Sequence, residues 1–320
     1  MYSFIFERCE DRKQLFRYIM QTIPRIISNN TVEWPLKNGN SFCFTVARLD
    51  LLHPFISGNK YFKLKYNLAE ATKQNKEGII TMGGAYSNHL AATAFACNEL
   101  DMISVGLVRG ELIEPLNPTL SFCRKHNMKL ISVSRDDYAS TNEAIQKIIM
   151  QHPHLFFVPE GGNNEMGMKG CKEILQHIHA ADEFTHIVCS MGTGTTYKGI
   201  ASAANRSQTV IGIPALKIKA GEQEQFMQQH AAVSSAAKQM IMFDFAGKGY
   251  ARTDESLFNF MNSFYKKTSI PTDIVYTGKL MQAVISLAEE SYFSDDGKLL
   301  VIHSGGLQGN NSLPSGTLLF

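Results

Sequence analysis

Lys60 occupies a position where an amine could act as a nucleophile or a base. It follows the turn-forming residues Ser57, Gly58 and Asn59, and Phe62 opens an apolar pattern with helical spacing. We therefore expect Lys60 in the first turn of a helix. The amino end of a helix carries a partial positive charge, which lowers the pKa of a nearby amine and favours its neutral form. The local pattern alone also allows a surface lysine without a role.

A second segment, residues 192–196, is typical of an anion-binding loop. It follows a predicted strand and precedes a helix that we expect to begin at Tyr197. Glycines let the backbone approach an anion closely, and the free N–H groups of a helix start point towards it. The glycine spacing fits neither a nucleotide P-loop nor a dinucleotide fingerprint. The segment predicts a phosphate site, with a tight packing turn as the alternative. Its residues are Gly192, Thr193, Gly194, Thr195 and Thr196.

The elements that must position these segments alternate along the chain. We predict short apolar strands over residues 42–46, 78–82, 102–108, 129–134, 155–158, 186–190, 210–214 and 299–303. We predict helices over residues 90–100, 122–127, 144–150, 167–179, 222–239, 257–266 and 278–289. This alternation indicates parallel βαβ units, and continuous apolar strands are expected where both sheet faces are covered. The predicted fold class is therefore α/β with parallel sheets.

Length and composition exclude several classes of protein. A chain of 320 residues predicts two domains or one large α/β domain. The net charge of +2 and the absence of a basic run argue against a nucleic-acid partner. No apolar stretch approaches the ~20 residues that span a bilayer, so we expect no membrane segment. The six scattered cysteines lack metal-ligand spacing. They are typical of a reduced, cytoplasmic protein without a metal site.

Residues 57–64, SGNKYFKL, resemble the cofactor-lysine segment of pyridoxal-phosphate enzymes of the tryptophan-synthase-β type, fold type II. The resemblance is strongest to the branch of 1-aminocyclopropane-1-carboxylate deaminase and D-cysteine desulfhydrase. Four further segments fit that branch in order, from about Arg48 to Gly309. The resemblance implies two parallel-sheet α/β domains with pyridoxal 5'-phosphate in the cleft between them. Residues 1–70 and 160–320 would form the larger domain and residues 71–159 a smaller inserted domain. The resemblance also implies a homodimer.

The same resemblance implies roles for the loop before the predicted helix 90–100. Ser87 would face the substrate carboxylate and the reacting centre, and Asn88 would bind the phenolic oxygen of the cofactor. His89 stands where desulfhydrases carry His and deaminases usually carry Gln. Read locally, Ser87 or Asn88 could equally be an ordinary helix N-cap.

Tyr250 and Tyr276 would line the cavity by resemblance, although either could be an ordinary half-buried aromatic residue. Thr277 stands where the deaminase pattern has Glu, and Ser304 replaces the desulfhydrase Thr. A hydroxyl cannot hold the pyridine nitrogen of the cofactor protonated as a carboxylate can, so the ring becomes a weaker electron sink. That suits β-elimination, where a leaving group departs, better than cyclopropane ring opening.

These residues are compatible with three functions. The first is a lyase that eliminates thiol from D-cysteine or a related small β-substituted amino acid, giving pyruvate, ammonia and sulfide. The second is 1-aminocyclopropane-1-carboxylate deaminase, which gives 2-oxobutyrate and ammonia. The third is a non-catalytic phosphate-ligand-binding protein, against which an imine-forming Lys60 argues. Lys63 lies past the first turn of its helix and is a weaker candidate for the cofactor lysine. Glu160 lies beside a glycine pair, and we expect it only to stabilise its loop.

Overall fold

The computed structural model describes residues 26–139, 143–232, 235–294 and 297–320. The described residues form the strands β1 Asn29–Pro35, β2 Ser41–Arg48, β3 Gly78–Gly84, β4 Ile103–Arg109, β5 Met128–Val133, β6 Leu155–Val158, β7 His186–Met191, β8 Thr209–Pro214, β9 Lys238–Ile241 and β10 Leu299–His303. They also form the helices α1 Asn59–Lys73, α2 Asn88–Glu99, α3 Pro118–Lys125, α4 Arg135–Ala139, α5 Glu143–Met150, α6 Glu165–Cys171, α7 Thr195–Ala203, α8 Gln223–His230, α9 Glu255–Thr268 and α10 Thr277–Glu289.

The strands assemble into two sheets. The larger has the order β1-β2-β10-β7-β8-β9 and the smaller the order β5-β4-β3-β6. Only the β1–β2 pair is antiparallel among the described strands, and all other pairs are parallel. The predicted α/β class with parallel sheets is therefore confirmed. The four strands of the smaller sheet all come from residues 78–158. The inserted domain 71–159 and its boundaries stay a prediction.

The apolar strands bury both of their faces, as their sequences predict. Every residue of β10 is buried, and so are the first six residues of β3. Helices cover both faces of each sheet, so these strands need no polar side. Because parallel strands share one direction, the loops that follow β3, β6, β7 and β10 all emerge at carboxyl edges of the sheets. Such edges are where open α/β sheets usually bind ligands.

Helix α1 is fixed to the loop after β10 at its first residue. Gly58 is the N-cap with a φ of 66°, and the Asn59 N–H donates to the Ser304 carbonyl at 2.9 Å. A Cβ at Gly58 would lie 1.8 Å from the Ser304 carbonyl oxygen, so only glycine allows this approach. Leu64 and Leu68 of this helix are buried in the core. The lysine turn is thereby held at the edge of the larger sheet.

Two predicted helices differ from the structure. The polar stretch 222–239 is helical only over Gln223–His230, and residues from Lys238 form the edge strand β9 on β8. The stretch 167–179 is wrong as one helix, because α6 ends at Cys171 and a 3₁₀ turn follows over Ile174–His177. There the His177 carbonyl accepts from Ile27 N at 2.7 Å, a long-range contact that helical periodicity cannot reveal.

Within the described ranges, no helix combines the length and the apolar character that a membrane crossing requires. Cys43, Cys97, Cys123, Cys171 and Cys189 are free thiols, and Cys9 lies outside the described residues.

Candidate active site

Two adjoining cavities open where the carboxyl edges of the two sheets face each other. The larger cavity has a volume of about 430 Å³, and its walls include Lys60, Ser87 and Tyr250. The smaller cavity, about 40 Å³, lies between Lys63 and the loop that follows β7. Both cavities share Lys60 and Tyr276 in their walls. The larger volume is within the usual range of small-molecule sites, and the smaller is enough for a compact anion.

Lys60 lies in the first turn of α1, as predicted, and its Nζ donates to Asn59 Oδ1 at 2.9 Å. Burial, followed by the charge of Lys63, lowers the pKa of Lys60 from 10.5 to about 7. The more distant charges of Cys171 and Asp273 act in the opposite direction. A large fraction of Lys60 is therefore neutral near pH 7, the form that can attack an aldehyde or accept a proton.

Lys63 lies one helical turn beyond Lys60 and faces the smaller cavity. Its side chain is buried, and its Nζ donates to the Gly161 carbonyl at 2.9 Å. Burial lowers its pKa as well. Among the residues that the structure describes, no acidic residue contributes to the wall of the smaller cavity. A buried lysine without a carboxylate beside it suits an anionic guest, because that guest would supply the missing counter-charge.

The loop after β7 provides further hydrogen-bond donors at the smaller cavity. Gly194 has a φ of 76° and caps α7, whose first residue is Thr195 rather than the predicted Tyr197. Gly192, Thr193, Gly194 and Thr196 line the cavity. The Thr196 hydroxyl accepts from Asn59 Nδ2 at 2.8 Å. This donor set fits a phosphate monoester held without a metal, at the start of a nine-residue helix.

The side chain of Thr195 bonds neighbouring residues instead of facing the smaller cavity. Its hydroxyl donates to Asn163 Oδ1 at 2.7 Å and lies 3.1 Å from the Thr193 hydroxyl. Thr195 does not line either cavity in the described part of the chain. The structure leaves only its backbone N–H to serve an anion.

Ser87 is both a helix cap and a wall of the larger cavity. Its Oγ accepts from the backbone N–H groups of His89 and Leu90, at 3.2 and 3.3 Å. The local N-cap interpretation is therefore correct for Ser87, and the hydroxyl proton stays free for a ligand. Asn88 joins the start of α2 to the loop after β10. Its Nδ2 donates to the Gly306 carbonyl at 3.3 Å, and its Oδ1 accepts from Gln308 N at 3.2 Å.

His89 is a neutral acceptor. The Thr81 hydroxyl donates to the Val158 carbonyl at 2.7 Å, so it must accept from His89 Nε2, 3.0 Å away. This fixes the proton on Nε2 and leaves the buried Nδ1 without a partner. Burial, with the charges of Lys60 and Lys63, holds the pKa of His89 well below 6.5. The ring therefore presents an unprotonated nitrogen beside the cavity.

Tyr250 and Tyr276 meet over the cavity. Their hydroxyl oxygens lie 3.4 Å apart, and their ring centroids 6.1 Å apart at a steep angle. Burial is the main cause that raises the pKa of each, for Tyr276 well above 10. Both hydroxyls stay protonated at neutral pH and can donate. A Cβ at Gly192 would come within 3.0 Å of the Tyr276 ring and hydroxyl, so this glycine keeps the ring close to the loop.

Thr277 does not reach the cavities that the structure describes. Its hydroxyl donates to Asp273 Oδ1 at 2.8 Å and accepts from Asp273 N at 2.7 Å. The Asp273 carboxylate also accepts from the N–H groups of Val275, Tyr276 and Thr277, at 2.9, 3.1 and 2.8 Å. Thr277 thus fastens the turn that carries Tyr276. The expectation that it faces the cofactor ring needs this correction, because the start of α10 turns its side chain towards Asp273.

Ser304 does reach the smaller cavity. It is buried, and its Oγ lies 3.4 Å from Ser190 Oγ. The sequence did not identify Ser190 or Asn59 as site residues. Ser190 is the last residue of a predicted strand, and Asn59 has the character of a turn residue. It also gave Lys63 too little weight, although the i, i+3 spacing from Lys60 could have indicated a shared helix face.

Comparisons with known proteins agree with this geometry. Residues 38–305 match the family described as "Pyridoxal-phosphate dependent enzyme". The "Bifunctional D-cysteine desulfhydrase/1-aminocyclopropane-1-carboxylate deaminase, mitochondrial" of Arabidopsis thaliana is 28% identical over 292 residues, which cover 82% of this chain and 72% of the relative. A "Putative 1-aminocyclopropane-1-carboxylate deaminase" of Thermotoga maritima is 26% identical over 291 residues, covering 84% and 90%.

Solved structures share the fold. An "ACC deaminase homologue" superposes with a TM-score of 0.70 at 20% identity, covering 92% of this chain and 95% of that chain. A hydrogen sulfide-producing enzyme from Fusobacterium nucleatum superposes with a TM-score of 0.62 at 14% identity, covering 90% and 96%. The predicted fold type II and the predicted cofactor are thereby confirmed. With this match over residues 38–305, the chain belongs to the pyridoxal-phosphate-dependent enzymes.

Proposed function

We propose that this enzyme eliminates thiol from D-cysteine or a related small β-substituted amino acid, giving pyruvate, ammonia and sulfide. Pyridoxal phosphate, when bound, supplies the electron sink that stabilises charge at the substrate α-carbon. Lys60 would hold the cofactor covalently and, when free, take the α-proton on Nζ. Lys63 and the N–H groups of residues 192–196 would hold the phosphate, and Asn88 the phenolic oxygen.

The other polar side chains of the larger cavity would act on the substrate. Ser87 has a free hydroxyl proton and would bind the substrate carboxylate. His89, a neutral acceptor, would receive a hydrogen bond near the reacting centre. Tyr250 and Tyr276, both protonated at neutral pH, would donate a proton to the departing thiolate.

One observation carries the choice of β-elimination. Ser190 and Ser304 offer only hydroxyl groups to the smaller cavity, and no carboxylate from the described part of the chain lines it. The Asp273 carboxylate is already occupied by four hydrogen bonds from residues 275–277. A cofactor nitrogen that meets Ser304 would stay largely unprotonated, and the weaker sink suits a substrate with a leaving group.

A second candidate is the ring opening of 1-aminocyclopropane-1-carboxylate. It is favoured by the printed names of the relatives from Arabidopsis thaliana and Thermotoga maritima. Because the Thr277 hydroxyl bonds Asp273, the argument against ring opening rests on Ser304 alone.

A product assay separates the two candidates. The holoenzyme would be given D-cysteine, L-cysteine, β-chloro-D-alanine and 1-aminocyclopropane-1-carboxylate in parallel. Pyruvate, sulfide and 2-oxobutyrate would be measured. We expect pyruvate and sulfide from D-cysteine and little 2-oxobutyrate. Robust 2-oxobutyrate, with no sulfide from either cysteine enantiomer, would reject the proposal in favour of the second candidate.

Compartment and assembly are part of the same proposal. Five free thiols in the described ranges support a reducing compartment, which we take to be the cytoplasm. The homodimer rests on family resemblance, and size-exclusion chromatography with light scattering would test it.

A further inference from the structure

Arg109 and Glu160 place opposite charges on the wall of the larger cavity. Arg109 ends β4, and Glu160 follows β6 after Pro159. Strand β3 runs between these strands, with Gly84 paired to Arg109 and Thr81 paired to Val158. The two charged side chains therefore flank the Ser87 loop from both sides, and both line the cavity.

Neither side chain neutralises the other. The ion pairs found among the described residues include neither Arg109 nor Glu160. The buried Tyr138 lies beside both. The Arg109 guanidinium is 5.4 Å from the Tyr138 ring centroid, an orientation that favours a cation–π contact. The charge of Glu160 adds to burial in raising the pKa of Tyr138. Arg109 and Glu160 thus present opposite charges to the cavity.

Arg109 and Glu160 line the same cavity as Tyr250 and Lys60. Both charges act on Tyr250, where Glu160 raises the pKa and Arg109 lowers it. The charges that act on Lys60 are instead Lys63, Cys171 and Asp273. A substrate whose α-carbon lies at Lys60 therefore shares one cavity with Tyr250, Arg109 and Glu160, which are available to contact its β-substituent.

We propose that Arg109 and Glu160 select substrates whose β-substituent ends in both a carboxylate and an ammonium group, as in two amino acids joined through sulfur. The guanidinium binds a carboxylate through paired hydrogen bonds, and the carboxylate of Glu160 accepts from the ammonium. A small neutral leaving group would offer neither charge a counter-charge. A purely acidic or purely basic one would satisfy one of them and face the other with the wrong sign.

This inference rests on the proposed β-elimination, and the step balances. The α-proton leaves the substrate, the Cβ–S bond breaks, and the departing thiolate takes a proton. One water then hydrolyses the remaining enamine product to pyruvate and ammonia. For a thioether of two amino acids, the released thiol is itself an amino acid.

A matched series of S-substituted D-cysteines tests the inference. The members are the S-ethyl compound (neutral), the S-(2-aminoethyl) compound (cationic), the S-(2-carboxyethyl) compound (anionic) and meso-lanthionine (zwitterionic, with one D-centre). All yield pyruvate, so one assay serves the whole series. We expect kcat/KM for meso-lanthionine to exceed that for the S-ethyl compound by about tenfold or more, mostly through KM.

Variants of Arg109 and Glu160 test which charge of the substrate each side chain binds. Arg109→Gln should lower kcat/KM about tenfold for the anionic and zwitterionic members only, and Glu160→Gln should do so for the cationic and zwitterionic members only. Arg109→Lys and Glu160→Asp should recover part of each loss. Retained absorbance of the bound cofactor checks that each variant folds. meso-Diaminopimelate, the carbon analogue that has no leaving group, should inhibit the parent competitively and each Gln variant more weakly.

The outcomes separate the two proposals. Pyruvate from the S-ethyl compound without any charge dependence, or equal losses across the series in both variants, overturns the role of the pair and leaves β-elimination standing. No pyruvate from any member, nor from β-chloro-D-alanine, overturns β-elimination itself.

Discussion

Lys60 and Lys63 lie one turn apart on α1, and each ammonium is bonded only to neutral oxygens of Asn59 or Gly161. Neither forms an ion pair in the part of the chain that the structure describes. The charge of Lys63 lowers the pKa of Lys60, and a bound phosphate would relieve that repulsion. The arrangement assigns the neutral amine to Lys60 and the anion contact to Lys63.

The first prediction concerns the pH dependence of cofactor capture. The neutral Lys60 amine is the reactive form, and its pKa is lowered to about 7. The rate at which the apoprotein takes up pyridoxal phosphate should therefore rise with pH, with a midpoint near 7, and level off above it. A stopped-flow absorbance measurement gives this midpoint. A midpoint close to 10.5, the ordinary value for lysine, would contradict the assignment.

The same shift has a consequence for stability. The folded pKa of Lys60 is lowered, so the unfolded apoprotein keeps a proton that the folded apoprotein has lost between pH 7 and 10.5. The free energy of unfolding should gain from this group as pH rises through that window. Urea denaturation of the apoprotein should therefore show a smaller rise with pH in Lys60→Met than in the parent.

Lys63→Met should weaken retention of the cofactor without removing its covalent attachment. The loss of one charge-assisted hydrogen bond to the phosphate corresponds to about 10- to 100-fold in affinity. It should also move the midpoint of cofactor capture by Lys60 to higher pH, since the charge of Lys63 lowers that pKa. Lys65→Met is the matched control, because Lys65 instead pairs with Glu173 at 2.5 Å. Equal cofactor affinity in both variants would remove Lys63 from the phosphate site.

Variants of Thr277 and Ser304 should have different effects: Thr277→Val should lower the free energy of unfolding, and Ser304→Ala should change the absorbance of the bound cofactor. Thr277→Val removes a buried hydroxyl that bonds Asp273 twice, and it should cost about 1–3 kcal/mol of unfolding free energy while leaving the absorbance of the bound cofactor unchanged. Ser304→Ala should change that absorbance and cost less stability. Thr72→Val, whose hydroxyl bonds only Leu68 within α1, is the control. An absorbance change in Thr277→Val that matches Ser304→Ala would return Thr277 to the cofactor ring.

The tyrosine pair should matter most for leaving groups that need a proton. Tyr250→Phe should lower kcat for D-cysteine by about tenfold or more, but change kcat for β-chloro-D-alanine by only about threefold, since chloride leaves without a proton. Tyr292→Phe, whose hydroxyl contacts Met240 instead, should change neither. Equal losses with both substrates would assign Tyr250 to binding rather than to proton donation.

The strand–helix alternation was predictable because buried parallel strands are continuous apolar runs, and β6 and β10 have the predicted bounds. β9 was missed because Lys238–Ile241 is a strand only through its pairing with β8. Lys60 could be located from its local turn. The expectation for Thr277 came from the resemblance, which does not reveal that its hydroxyl bonds Asp273 within the same turn. Arg109 and Glu160 line the same cavity because β4 and β6 lie on either side of β3. This strand order cannot be deduced from the order of residues along the chain.

The central claim is that Lys60 carries the cofactor. Reduction of the holoenzyme with borohydride, followed by proteolysis and mass spectrometry of the peptides, tests it most directly. We predict a pyridoxyl-phosphate adduct on Lys60 and an unmodified Lys63 in the same peptide. An adduct on Lys63, on another lysine, or on none would contradict the assignment.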